Sequence, residues 1–104
     1  MVQMNPAGQS DPALALLVPG EYVLLEFEDT SFNNRERLWC EICDRSVHWP
    51  PTYTGHIRNR PALLKSMISG QLVRFAPEHI FEVLNDQTDT AQPSPDRRRS
   101  QFQS

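Results

Sequence analysis

Residues 38–56 read LWCEICDRSVHWPPTYTGH, and the way this stretch folds decides what the rest of the chain can be. Both cysteines of the protein, Cys40 and Cys43, lie in it three residues apart, and two of its three histidines, His48 and His56, follow closely. Thiolate sulfur and imidazole nitrogen are the donors that zinc takes at tetrahedral vertices, and a Cys-x-x-Cys turn can set two sulfurs on one ion. Two cysteines are too few for the disulfide scaffold of a small secreted domain. The N-terminus has no basic region ahead of its short apolar run at 13–18, so it reads neither as a signal peptide nor as a membrane span. The expected location is therefore intracellular, in nucleus or cytoplasm, where such a cysteine pair points to metal or redox chemistry.

Upstream, EYVLLEFE at 21–28 is rich in β-branched and aromatic residues and predicts a strand. DTSFNN at 29–34 is turn-like, and RERLWC at 35–40 predicts the returning strand. Symmetric closure about that turn sets Glu28 opposite Arg35, Glu26 opposite Arg37 and Leu24 opposite Trp39. The other face then carries Leu25 against Leu38 and Val23 against Cys40. Charge meets opposite charge and apolar meets apolar, each pair contributing a few tenths to about 1 kcal/mol, and their agreement specifies one register.

Downstream, Pro50 and Pro51 break any regular element. TYTGHIRN at 52–59 predicts a short helix that Pro61 ends or kinks. A second helix is expected over 61–69, capped by Gly70, with Leu64, Met67 and Ile68 on one face. QLVRFA at 71–76 predicts a strand. PEHIFEVL at 77–84 predicts a last helix burying Ile80, Phe81 and Leu84, with a strand as the alternative. Residues 1–18 are expected to be flexible apart from a helix start at Asp11 and Pro12. The polar segment 86–104, with Arg97, Arg98 and Arg99, is expected to be disordered. The predicted fold is thus a small single α+β domain over 19–85, a β-hairpin followed by short helices.

The spacing apolar-x-Cys-x2-Cys-x3-apolar-x5-apolar-x2-His, carried by Leu38, Cys40, Cys43, Val47, Tyr53 and His56, resembles the Cys-Cys-His-His zinc finger. The resemblance covers about a fifth of the chain. It implies a Zn2+ ion held between a hairpin and a helix, adding stability to a core of marginal size. The family's second histidine falls at positions 60–62, where this chain has Arg60, Pro61 and Ala62, none of which ligates zinc. His48 is the nearest substitute, giving the set Cys40, Cys43, His48 and His56, with His79 as an outside candidate. Trp39-Cys40-Glu41-Ile42-Cys43 is also similar to the Trp-Cys-x-x-Cys of thioredoxin-like redox proteins, without the following helix that lowers the first thiol's pKa.

The net charge of −3 argues against a protein that coats nucleic acid indiscriminately. Yet residues 45–77 hold five basic residues and no acidic one. Arg45, Arg58, Arg60, Lys65 and Arg74 are therefore the candidate phosphate contacts, with Trp49 as a base-stacking surface. The first expectation is a small zinc-finger-like regulatory protein that binds RNA or DNA. The alternative is a protein-interaction adaptor with a purely structural zinc site, docking through the Leu64/Met67/Ile68 or Ile80/Phe81/Leu84 helix face. No nucleophile, base and acid are grouped in the sequence, so no enzyme is expected.

Overall fold

The computed structural model describes residues 1–9 and 11–84. Six strands form one antiparallel sheet: β1 (Val2–Asn5), β2 (Tyr22–Asp29), β3 (Asn34–Arg45), β4 (Tyr53–Ile57), β5 (Leu72–Phe75) and β6 (Glu82–Val83). The spatial order is β1-β2-β3-β4-β5, and β6 shares with β1 the outer edge of β2. The sheet curls into a half-barrel, with 42% of the described residues in strands.

The hairpin of β2 and β3 has the register expected from charge and apolar matching. Glu28 faces Arg35, Glu26 faces Arg37, Leu25 faces Leu38 and Val23 faces Cys40. Asn33 takes the left-handed conformation in the turn (φ 55°), a backbone that asparagine tolerates better than most residues. Glu26 draws in both arginines, with Arg37 Nε at 3.0 Å and Arg35 at 3.9 Å. The guanidinium of Arg37 also lies 4.2 Å above the Phe81 ring.

The α+β expectation does not hold: the chain is mostly β and, among the described residues, has no helix of seven or more residues. Residues 53–57 form β4, not a helix, because Tyr53, Gly55 and Ile57 point inward while Thr54 and His56 point out, a period of two. Gly55 is required by its neighbours: a Cβ there would lie 2.6 Å from Cys40 Sγ and 2.5 Å from the Glu41 carbonyl oxygen. The 61–69 segment is a chain of turns. Leu64 and Met67 are buried but Ile68 is exposed, so the expected stripe is split between core and solvent. A helix of that length is marginal in water, and here its first amides are taken by a side chain instead. Pro77–His79 makes a single 3₁₀ turn, closed where His79 Nδ1 accepts from the Ala76 amide at 3.0 Å. The chain then enters β6 and pairs with Val23 and Leu24. The helix faces proposed for docking therefore do not exist: Leu64, Met67 and Ile80 are core.

The N-terminal segment, read from its composition as flexible, supplies β1, which pairs with residues 26–29 of β2. Pro12–Ala15 forms a 3₁₀ turn capped by Asp11, whose carboxylate accepts from the Ala13 amide. The expectation of disorder for 86–104, and Arg97, Arg98 and Arg99 with it, lies outside the described residues.

The concave face holds Val23, Leu25, Phe27, Leu38, Cys40, Ile42, Tyr53, Ile57 and Phe75. Leu14 and Leu17 close one end of the curl, and Leu64 and Met67 also join the cluster. Complete burial of each large apolar side chain stabilises by about 1.5–3 kcal/mol. The Tyr53 hydroxyl is satisfied in this interior, donating to the Leu14 carbonyl (2.7 Å) and accepting from the Leu17 amide (3.2 Å).

Candidate functional site

The two cysteines leave β3 in different directions. Cys40 is 0% exposed and faces the core, whereas Cys43 is exposed at a bulge, where the register with β4 shifts between Ile42 and Asp44. Burial pushes the Cys40 thiol up to about 12, with Cys43 adding to the rise, so it stays protonated at neutral pH. His48 is exposed in the 46–52 loop. His56 is on the outer sheet face, opposite Glu41, with Nδ1 at 3.3 Å from the Gly70 carbonyl. The donors thus divide between the two faces of the sheet and do not fit one tetrahedral ion. Among the described residues no group of three or more His, Cys, Asp and Glu is placed to hold a metal. His79 is occupied by the Ala76 amide.

The six residues expected to contact nucleic acid also separate. Arg45 is turned inward at the end of β3, where its guanidinium donates to the carbonyls of Leu17 (3.0 Å) and Ala15 (3.2 Å). Arg58 is held by Glu41 at 2.8 Å, and that hydrogen-bonded ion pair keeps the Glu41 carboxyl below its ordinary range. Arg60, Lys65 and Arg74 are exposed. Trp49 is 69% exposed in a loop closed at its base by two bonds between Ser46 and Thr52. A polar cleft of about 300 Å³ beneath that loop brings Arg45 and Arg74 together with Asp44, Ser46, Thr52 and Thr54.

A larger, apolar cleft lies elsewhere, and the residue that shapes it was not marked by the sequence. Glu36 stands at the end of the inward-facing row of β3, in step with Leu38 and Cys40 and opposite Phe27, and accepts the amides of Ala62 (2.8 Å), Leu63 (2.9 Å) and Leu64 (3.3 Å). Burial raises its pKa, but the amide bonds and the nearby Lys65 outweigh that and hold the carboxyl below its usual value. Glu36 thereby fixes the 61–66 segment beside the hairpin turn. Between them opens an apolar cleft of about 590 Å³, lined by Phe32, Ala62, Leu63, Lys65 and Ser66 with Asp29 and Asn34. Phe32 is 73% and Leu63 50% exposed, although both are large apolar residues. Only the turn-like sequence at 29–34 marked one wall of this cleft. Nothing in the sequence links Glu36 to residues 62–64, because the contact spans the 46–52 loop and the whole of β4.

No protein-family model matches the chain, and neither a curated protein nor a solved structure was found to be similar to it. Among the described residues no helix is long and apolar enough to cross a membrane.

Proposed function

We propose that the chain is a non-enzymatic protein-interaction module that takes its partner in the cleft between the hairpin turn and the 61–66 segment. The observation that carries this reading is the pairing of exposed Phe32 and Leu63 across an open apolar cleft whose wall is pinned by a charged side chain. Rigid backbone presenting apolar groups to water is the arrangement expected of a surface that loses that water to a partner. The adaptor role foreseen for the apolar stripes passes to this cleft, and neither zinc nor a catalytic step is part of it.

The test is a selection of displayed random peptides against the wild-type chain, with a Phe32→Ser/Leu63→Ser variant as competitor. Peptides that bind the wild type and lose at least about tenfold, roughly 1.4 kcal/mol, on the variant support the reading. A selection that enriches no peptide on the wild type over the variant overturns it.

A second reading is kept for the opposite end of β3. Trp49 would stack on an unpaired base while Arg74 and the hydroxyls of Ser46, Thr52 and Thr54 hold a phosphate in the polar cleft. Arg45 and Arg58 would add little, since both are engaged within the protein. Binding of a single-stranded oligonucleotide that weakens steeply with salt and is lost in Arg74→Glu supports it. Salt-independent binding, or none, removes it.

A further inference from the structure

The half-barrel is open between β1 and β5, its two outermost strands. Among the described residues the backbone of Val2–Asn5 bonds only to β2 and that of Leu72–Phe75 only to β4. In an antiparallel ladder alternate residues turn their N–H and C=O groups away from the partner strand. Both edges therefore present unpaired donors and acceptors. Natural proteins normally blunt or cover such edges.

The space between these edges is a groove of about 270 Å³, not bulk solvent. Val2, Gln3 and Met4 line one side, Val73 and Arg74 the other, and Phe27 and Met67 contribute apolar surface from the core. Ser66 borders this groove and also the Phe32/Leu63 cleft, so the two adjoin. The strand directions are compatible with one more strand. Each neighbour in the order β1 to β5 is antiparallel to the next, so β1 and β5 run the same way. A single extended segment can then run antiparallel to both.

Charge selects among occupants. Lys65 at the cleft and Arg74 at the groove are exposed, and neither has an ion-pair partner among the described residues. Asp29, the acidic residue among those lining the two spaces, is buried and accepts from the Ser31 amide.

We propose that the module binds its partner by strand addition: an extended, acidic-flanked peptide enters between β1 and β5 antiparallel to both. Its inward side chains meet Phe27, Met67 and Val73, and an apolar anchor beyond them reaches Phe32 and Leu63. Main-chain bonds supply register and the alternate side chains supply choice, as in other edge-strand recognition. This rests on the protein-interaction reading and adds the class of partner and its geometry.

The probes are the selected peptides, together with an acetylated octapeptide of alternating valine and glutamate and its valine–lysine counterpart. The expected result is that amide resonances of Val2–Asn5 and Leu72–Phe75 shift on binding. N-methylation of alternate peptide nitrogens should cost at least about tenfold in affinity. The glutamate peptide should bind and the lysine peptide should not, and Lys65→Glu/Arg74→Glu should reverse that preference while leaving the thermal melt intact. Selected peptides that bind but tolerate N-methylation and leave β1 and β5 resonances unmoved overturn strand addition and leave the interaction reading standing. An absence of selected peptides removes both. Concentration-dependent dimers that shift the same resonances without peptide would make a second copy of the chain the occupant and overturn the proposal. Preferential occupation of the groove by a single-stranded oligonucleotide would overturn it too.

Discussion

The two ends of β3 solve one problem with opposite charges. At its start Glu36 accepts three backbone amides from the 61–66 segment, and at its finish Arg45 donates to two backbone carbonyls of the 12–17 segment. Each pins irregular chain to the sheet through an ion whose charge matches the polarity of the backbone groups it meets. Leu64 behind the first segment and Leu14 and Leu17 behind the second then complete the core. The difference is chemical. A carboxylate can be discharged by acid, whereas a guanidinium keeps its charge across the accessible range. One end of the sheet is therefore addressable by pH, and it is the end that carries the apolar cleft.

The sharpest break of this symmetry is Glu36→Ala. It leaves three amides without their acceptor, and the expected loss is about 3 kcal/mol of stability in chemical unfolding, the scale of charge-assisted bonds at a part-buried site. Collapse of the cleft should accompany it, read as lost binding of the selected peptides. A melt equal to wild type would mean that the 61–66 segment holds itself. At the other end, Arg45→Met keeps much of the side-chain length and removes the two carbonyl bonds and the stack on Tyr53, whose ring centroid lies 5.9 Å away. About 2 kcal/mol of destabilisation is expected there, with peptide binding preserved in the folded fraction. Loss of peptide binding would tie the two ends together.

Acid should separate the ends without any mutation. The folded-state pKa of Glu36 lies below its ordinary value of 4.5, so the unfolded chain binds the proton more readily. Its contribution is complete above about pH 4.5 and fades as pH falls through the folded-state value. The stability gap between wild type and Glu36→Gln should accordingly narrow below about pH 4.5, while the gap to Arg45→Met stays constant. Parallel loss in both pairs would show that other carboxylates, such as Glu26, dominate acid unfolding. The smallest effects belong to the loop beyond Arg45. Trp49→Ala should change stability by no more than about 0.5 kcal/mol, since the side chain is largely in water. A chelator should leave the melt unchanged, because Cys40 and Cys43 face apart. A large drop in either experiment would mean that the 46–52 loop is a folded site in its own right.

These contrasts also mark how far the sequence could be read. The hairpin register was legible residue by residue, because the alternation of Glu26, Glu28, Arg35 and Arg37 leaves only one pairing that satisfies both faces. β5 was legible as a short apolar run between turn residues. β4 was hidden by the zinc-finger frame. Tyr53 and His56 match a helix in that frame, while Tyr53, Gly55 and Ile57 match a strand, and five residues are too few for periodicity to decide. Leu64 and Met67 looked helical because any turn that inserts two side chains into one core can mimic a spacing of three. β1 had no signal of its own: Val2–Asn5 is a strand because β2 offers it an edge. The candidate cleft was the least legible feature, since its geometry depends on one carboxylate meeting backbone amides far along the chain. The cysteines, chemically the loudest residues, lie on opposite sides of the sheet.

The sharing of one β2 edge by β1 and β6 also orders the making of the protein. As the chain is synthesised, residues 26–29 find β1 already available, but Val23 and Leu24 must wait for Glu82 and Val83. Pairings this distant in sequence slow folding relative to local helical contacts. Until they form, part of the central hairpin's outer edge stays unpaired beside apolar Val23 and Leu25 on the inner face of β2. Nascent or partly unfolded chains are most exposed to mispairing with one another at that spot, so conditions that delay release of the last strand should lower the yield of folded protein more than its final stability.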